Sequence, residues 1–340
     1  MTGPAPDTWQ VDPLLAGARL CTPGLWRLRL PLSWPGISHV NAYAIARDDG
    51  LMLVDCGTAG HPSCAKALEL ALQQTGYRLE DVRLLAVTHA HSDHVGLAGW
   101  VFERSGCEVW MHPAARRFYE VIREPERIEA ARGRRALQEG VPPQLLPIFA
   151  DVSEELEAGG SPPAKIGELR EGKRLPSALG EWEVLETPGH APSQICLLQR
   201  ERRTAIVGDT ICSVFVPWFD YGLSNDPIGE FLASLDRIEA LGELQLVLPG
   251  HGRPLSAIED VLAGHRAGVA ERLASTRRAV AQAGGGAFQV ALEIFGEQRS
   301  DIAKVERLTE VAAYLRHLRL AGEVRREIGS DGRFRHLPAA

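Results

Sequence analysis

Thr88 to Gly96 reads THAHSDHVG, and its His89, His91, Asp93 and His94 put four metal-ligand side chains into six consecutive positions. Imidazole and carboxylate together suit a borderline divalent cation such as Zn2+, and ligands one or two residues apart require a loop that folds around the ion. Just upstream, Leu84, Leu85, Ala86 and Val87 form a short apolar run of the kind found in a fully buried strand, while Val95 to Glu103 has helical spacing. The motif is therefore expected on the connecting turn. A solvated histidine-rich loop is the competing reading. It is disfavoured, because such loops rarely carry an ordered ligand set directly after a buried strand.

Working outward, the same device recurs three times. Glu181 to Thr187 has the pattern of a strand and runs into Pro188, Gly189 and His190. Gln194 to Leu198 and Thr204 to Val207 read as a hairpin whose second strand runs into Gly208 and Asp209, and Leu244 to Leu248 runs into Pro249, Gly250 and His251. A lone His or Asp at a strand end is usually structural. Three such ends together with the first loop imply one convergent site.

On the N-terminal side, residues 1–24 are rich in Pro, Gly and Ala with little periodicity and are expected to be a loosely attached lead-in. Trp26 to Leu30 begins a sheet, with Pro31 ending the run. His39 to Ala46 and Leu51 to Asp55 are joined by Asp48, Asp49 and Gly50 and predict an antiparallel hairpin. Asp55 ends a buried strand, either as a turn cap or as a carboxylate that orients a metal-bound imidazole. Pro62 to Gln74 predicts a helix stopped near Gly76, and Cys107 to Met111 another strand, so strands and helices alternate as in sheets covered by helices. His112 is expected to cap that strand rather than to bind metal.

From about 114 to 160 the chain turns charged and helix-favouring, with breaks at Pro142, Pro143 and Pro147. A solvated helical hairpin is one reading of this insertion. The preferred one is a lid in which Leu145 and Phe149, with Val141, Leu146 and Ile148, line an acyl-binding groove and an arginine reaches an anionic substrate group.

The ligand order, HxHxDH at His89 to His94 followed by His190, Asp209 and His251, resembles that of the metallo-β-lactamase superfamily over roughly residues 25–255. The resemblance implies a four-layer αβ/βα sandwich of two sheets with the site at their shared edge. It also implies that His89, His91 and His190 hold one metal, that Asp93, His94 and His251 hold the other, and that Asp209 bridges them. Asp93 and Asp209 are then the candidate catalytic carboxylates. Two divalent ions about 3.5–4 Å apart share a hydroxide that serves as nucleophile at neutral pH, so metal-assisted hydrolysis is the implied reaction class. His91 stands where the family's diiron oxygen reductases carry Glu, which favours two Zn2+ ions, with Mn2+ or Fe2+ as substitutes.

Residues 256–340 differ in kind, with helical stretches near Ile258 to Ala283 and Lys304 to Ala321, then two short strands, Glu323 to Ile328 and Gly332 to His336. They resemble the winged-helix-like tail of one branch of the superfamily, which includes acyl-thioester hydrolases and a single-strand endoribonuclease. The tail carries 13 Lys plus Arg against 11 Asp plus Glu, too even a balance for a dominant phosphate-binding surface. A packing or dimerisation module that also walls the pocket is the preferred reading of it, with a homodimer as the candidate assembly.

The favoured function is hydrolysis of a small acyl thioester or ester. A ribonuclease with the same metals and a non-catalytic ligand-binding or regulatory protein are the alternatives. The formal net charge of -7 argues against a protein that coats nucleic acid or anionic membrane. No eighteen apolar residues run together, no basic start precedes an apolar stretch, and the six cysteines lack CxxC pairs, so reduced thiols in the cytoplasm are expected. The absent leader also counts against an exported β-lactamase. Quorum-signal lactonases carry a Tyr three residues after the bridging Asp, where this chain has Cys212; Tyr221 would substitute if its loop folds back.

Overall fold

The structure, a computed structural model, describes residues 17–34, 37–213, 219 and 222–339. Seven strands, β1 (Gly17–Thr22), β2 (Leu25–Trp34), β3 (Ile37–Arg47), β4 (Gly50–Val54), β5 (Val82–Val87), β6 (Glu108–Met111) and β7 (Ile166–Glu168), form one sheet in sequence order. The first four are antiparallel neighbours and the rest add in parallel. A second sheet has the order β12-β11-β10-β9-β8, built from β8 (Arg174–Ser177), β9 (Gly180–Glu186), β10 (Ile195–Gln199), β11 (Thr204–Gly208) and β12 (Leu246–Pro249).

Alternation across the pleat explains why the central strands read as unbroken apolar runs. Met52, Val54, Leu84 and Ala86 face Trp182, Val184, Ile195, Leu197 and Leu248 in a core between the sheets. Their neighbours Leu53, Leu85 and Val87 face outward onto α1 (Cys64–Thr75), and this outer core also takes in Ala98 and Val101. Those two belong to α3 (Ala98–Ser105), which follows the single turn α2 (Ser92–Val95). α1 stops at Gly76, which adopts φ 88 in the left-handed region. On the far side, Cys196, Leu198 and Val207 pack against Phe231, Leu235 and Ile238. The resulting four layers are the αβ/βα sandwich.

The insertion forms α4 (Arg116–Arg123), α5 (Pro125–Gln138), α6 (Leu146–Ala150) and α7 (Ser153–Ala158). The outer helix of the second sheet is α8 (Pro227–Glu239), and the tail supplies α9 (Glu259–Ala283), α10 (Ala287–Phe295), α11 (Asp301–Leu320) and the antiparallel pair β13 (Val324–Ile328) and β14 (Phe334–Pro338). Leu273, Val280, Val290, Val311, Tyr314 and Leu318 belong to the same core as α8 and the outer face of the second sheet. Insertion and tail are fastened to each other by Glu139. Its buried carboxylate lies 3.2 Å from His336 Nε2 and accepts from the Ala287 amide at 3.2 Å, while its carbonyl accepts from the Phe288 amide at 3.0 Å.

Several expectations need correction. Residues 17–22 are an edge strand rather than lead-in, and β2 runs through Pro31 to Trp34, since Pro31 still faces His39 in the pairing register. Strands β7 and β8 and helix α10 carry too few residues of clear periodicity to be read from sequence. Phe149 does not face a groove. It is buried edge-on to Phe288 at 6.2 Å between ring centres, and Leu145 packs against the same core, so the apolar face of the insertion covers the tail. That burial contributes roughly 1.5–3 kcal/mol for a side chain of this size. Tyr221 lies outside the described residues. His112 caps the turn after β6 by accepting from the Ala114 amide at 3.2 Å, and all six cysteines are free thiols. Among the described residues no helix is long and apolar enough to cross a membrane.

Candidate metal centre

Each candidate ligand leaves the end of a strand at the edge the two sheets share. β5 delivers Thr88 and His89, and the chain turns through His91 into α2, which carries Asp93 and His94. His190, Asp209 and His251 follow β9, β11 and β12. The edge is laced across the sheets: the Asn41 amide donates to the Gly250 carbonyl at 2.7 Å, the Ile195 amide to the Thr88 carbonyl at 2.9 Å, and the Tyr43 hydroxyl to the Pro249 carbonyl at 2.6 Å. Gly250 is required by closeness: a Cβ there would lie 2.1 Å from Asp209 Oδ1 and 2.6 Å from the His94 ring.

All seven predicted ligands come together. His91 Nδ1 lies 3.1 Å from His89 Nε2 and 3.0 Å from His190 Nε2. His251 Nε2 lies 3.1 Å from Asp93 Oδ2 and 3.2 Å from Asp209 Oδ2, and His94 Nε2 lies 3.4 Å and 3.5 Å from the same two carboxylates. Asp209 also reaches His190 Nε2 at 3.7 Å, so it stands between the two groups. His89, Asp93, His94 and His190 are buried, whereas His91, Asp209 and His251 are partly exposed and form the open side.

Hydrogen bonds behind the cluster set which nitrogen of each ring faces inward. The network assigns the His94 Nδ1 proton to Asp55 Oδ2 at 2.8 Å, and the Thr88 hydroxyl donates to the same oxygen at 2.8 Å. With that hydroxyl committed, Thr88 Oγ1 accepts from His89 Nδ1 at 3.1 Å. Asp55 Oδ1 accepts from the Thr88 amide at 2.7 Å, and the His39 carbonyl accepts from His251 Nδ1 at 3.0 Å. The inward nitrogens of His89, His94 and His251 are thus left as lone-pair donors for a cation. Asp55 makes contacts of both kinds considered for it, to the Thr88 amide just after the strand and to the His94 imidazole. Thr88 and the His39 carbonyl were not anticipated; a Thr directly before the motif and a backbone oxygen give no distinctive sequence signal.

The donor set fits divalent metal. Asp93 Oδ2, His94 Nε2 and Asp209 Oδ1 are buried and make no hydrogen bond of acceptable angle, although charged groups stand within 3.5 Å. Their lone pairs converge on common points instead of on one another. Candidate ligand triads are His89, His91 and His190; His89, His94 and Asp209; and Asp93, His94 and His251, each with donor atoms within 4.8 Å. Burial, and then the neighbouring imidazoles of His94 and His91, hold His89 well below the ordinary histidine range, in the neutral form a metal needs. Burial acts on His94 and His251 in the same sense, but the nearby carboxylates of Asp93 and Asp209 outweigh it and raise both well above that range. The carboxylates therefore call for positive charge here, as protons or as metal.

A family model described as the metallo-beta-lactamase superfamily matches residues 35–251. The chain is similar to "Probable metallo-hydrolase YqjP" of Bacillus subtilis (strain 168), at 27% identity over 278 residues, covering 79% of this chain and 84% of that protein. It is more distantly similar to "Hydroxyacylglutathione hydrolase GloC" of Haemophilus influenzae (strain ATCC 51907 / DSM 11121 / KW20 / Rd), at 22% identity over 181 residues, 51% of this chain and 69% of that protein. Among solved structures, the metallo-beta-lactamase family protein TTHA1429 from Thermus thermophilus superposes with a TM-score of 0.79 at 28% identity, covering 93% of this chain and 99% of that one. A beta-lactamase domain protein from Burkholderia ambifaria gives 0.78 at 26% identity, covering 97% of each. Both likenesses run past residue 251 into the tail. Fold, ligand order and the match over residues 35–251 agree, and the chain belongs to the metallo-beta-lactamase superfamily, among its metallo-hydrolases.

Proposed function

We propose that this chain is a two-metal hydrolase, with zinc as its metal, that cleaves a small acyl thioester or ester. The observation that carries the reading is the convergence of buried, unsatisfied donor atoms from Asp93, His94 and Asp209 beside the His89, His91 and His190 triad. Seven ligand side chains exceed what one tetrahedral ion takes up. His89, His91 and His190 would hold one ion, Asp93, His94 and His251 the other, with Asp209 shared. When bound, such a pair supplies a nucleophilic water at neutral pH and polarises the bond to be cleaved.

The chain's own part is to fix geometry and charge. Asp55 and Thr88 lock the tautomers of His94 and His89, and the His39 carbonyl locks that of His251. Burial excludes water from the rear of the cluster, and the partly exposed side formed by His91, Asp209 and His251 is where substrate enters. No Ser or Cys nucleophile is required. Two of the buried thiols are poorly suited to the role in any case, since burial pushes Cys64 up to about 12 and Cys196 up to about 11.

Acyl substrates are favoured by the similarity to a hydrolase whose name gives hydroxyacylglutathione as its substrate. The test is turnover of p-nitrophenyl acetate, S-acetyl thioesters, bis(p-nitrophenyl) phosphate and single-stranded RNA by metal-loaded protein. Ester and thioester hydrolysis, lost in Asp209→Ala, is expected. RNA cleavage without acyl turnover would replace this reading by the nuclease one.

A further inference from the structure

Between the insertion, the segment leading into α8 and the tail lies a cleft of about 800 Å3, within the roughly 300–1,000 Å3 typical of small-molecule sites. Pro188 and Pro192 form part of its wall, two residues on either side of His190. Two residues of chain span at most about 7 Å, so the cleft abuts the loop that carries this ligand.

Its charge runs against the chain as a whole. Arg117, Arg135, Arg316 and Arg326 line it, from α4, α5, α11 and β13, against a single acid, Glu230. Several arginines elsewhere are matched with carboxylates, as in Arg200 with Glu183, Arg237 with Glu171 and Arg266 with Asp236, while others, such as Arg83 and Arg104, meet carbonyls or an aromatic ring instead. Among the described residues Arg117, Arg316 and Arg326 have no carboxylate within ion-pair distance. Arg316 is held by the neutral carbonyl and side-chain oxygens of Asn225, and Arg326 stacks on Phe334 with its guanidinium carbon 4.1 Å from the ring centre. Both are oriented by neutral partners, although Glu230 is near enough to Arg316 to feel its charge. Arg135 enters over Gly222, where φ is +83 and a Cβ would lie 2.0 Å from its Nη1, so that position leaves room for the guanidinium. In a chain of net charge -7, this concave arginine set is a local positive region suited to an anion.

We infer that the cleft binds the phosphate-bearing half of the substrate: an acyl ester or thioester carrying a nucleotide-sized group with two or more phosphates, seated on Arg117, Arg316 and Arg326 while its scissile bond lies at the His190 side. Planar guanidinium forks match phosphate oxygens, and three arginines from separate elements lining one cleft, none in a close ion pair, suit clustered anionic charge better than a single carboxylate. The inference specifies the substrate of the hydrolase proposed above and rests on that reading. A concave cleft walled by two proline turns fits a small molecule rather than a long single strand, which needs an open basic track.

The test is calorimetric binding of adenosine 5′-diphosphate, inorganic pyrophosphate and a ten-nucleotide single-stranded RNA to metal-loaded wild type and to Arg117→Gln/Arg326→Gln. Because both proteins keep the same metal ligands, the difference between them reports the cleft. Adenosine diphosphate is expected to bind more tightly than pyrophosphate, and its affinity should fall on the order of a hundredfold in the double variant, with Arg117→Lys/Arg326→Lys, which keeps the charge but not the planar fork, falling in between. In parallel, the ratio of kcat/KM for acetyl-coenzyme A to that for phosphate-free S-acetyl-N-acetylcysteamine should drop at least tenfold in the glutamine variant. Equal nucleotide affinity in wild type and variant overturns the inference even if acyl turnover is found. Arginine-dependent nucleotide binding without acyl turnover keeps the cleft and sinks the reaction. RNA bound more tightly than the nucleotide through the same arginines overturns the small-molecule assignment.

Discussion

Asp55 and His94 are 39 residues apart in sequence, yet Asp55 Oδ2 accepts a hydrogen bond from His94 Nδ1 at 2.8 Å while its other oxygen accepts from the Thr88 amide. Asp55 does so from a left-handed backbone, φ 60, which costs a non-glycine residue roughly 1–2 kcal/mol. That strain persists because strand pairing and three hydrogen bonds fix the carboxylate behind the cluster.

Asp55→Asn keeps the shape and tolerates the left-handed conformation, so it isolates the charge. Metal affinity is expected to fall about 10- to 100-fold with little loss of fold. Chelator competition measures it, and unchanged affinity would show that Asp55 only caps the turn.

Metal analysis of the purified protein should find close to two equivalents per chain. Asp209→Ala should lower occupancy and abolish turnover together, because this carboxylate stands between both ligand groups. A fully active preparation with one equivalent would remove the two-metal mechanism.

Metal binding should release protons. His94 and His251 have folded-state values raised by Asp93 and Asp209, so at neutral pH the metal-free protein holds protons there that a cation must displace. Apparent affinity should therefore rise with pH through the ordinary histidine range and beyond it, and fall as the medium is acidified. Calorimetry in buffers of different ionisation enthalpy should give about two protons per fully loaded chain; a release of none would contradict the assignment.

Glu139→Ala should destabilise the protein by about 1–3 kcal/mol, since it strands the His336 ring and the Ala287 amide without an acceptor in a buried place. Urea unfolding reads this directly. A change below about 1 kcal/mol would mean that insertion and tail are held by their apolar contacts alone.

The seven candidate ligands were legible in the sequence because strand-to-loop chemistry is local. A buried apolar run followed by His or Asp needs no knowledge of the partner strand, and HxHxDH specifies its own turn. The layer architecture was legible for the same reason, since runs such as Leu84 to Val87 declare both faces buried. What lies behind and beside the ligands was not. Asp55 reaches His94, His251 reaches the His39 carbonyl, and Glu139 reaches His336 across 197 residues, and no spacing encodes such pairings.

The insertion makes the distinction sharpest. Its sequence announced apolar residues and arginines on helices, but a helix has several faces, and only packing decides which one meets the protein and which meets the ligand. Phe149 went to the tail's core, because burying it there removes more apolar surface from water than lining an open groove would. Arg117 and Arg135 were thereby turned to the cleft beside His190, together with Arg316 and Arg326 from the other end of the chain. The sequence by itself determined the fold class and the chemistry of the donor set, which depend on local pattern; the tertiary structure alone decided the shape and charge of what faces that site, because these depend on which distant surfaces bury each other.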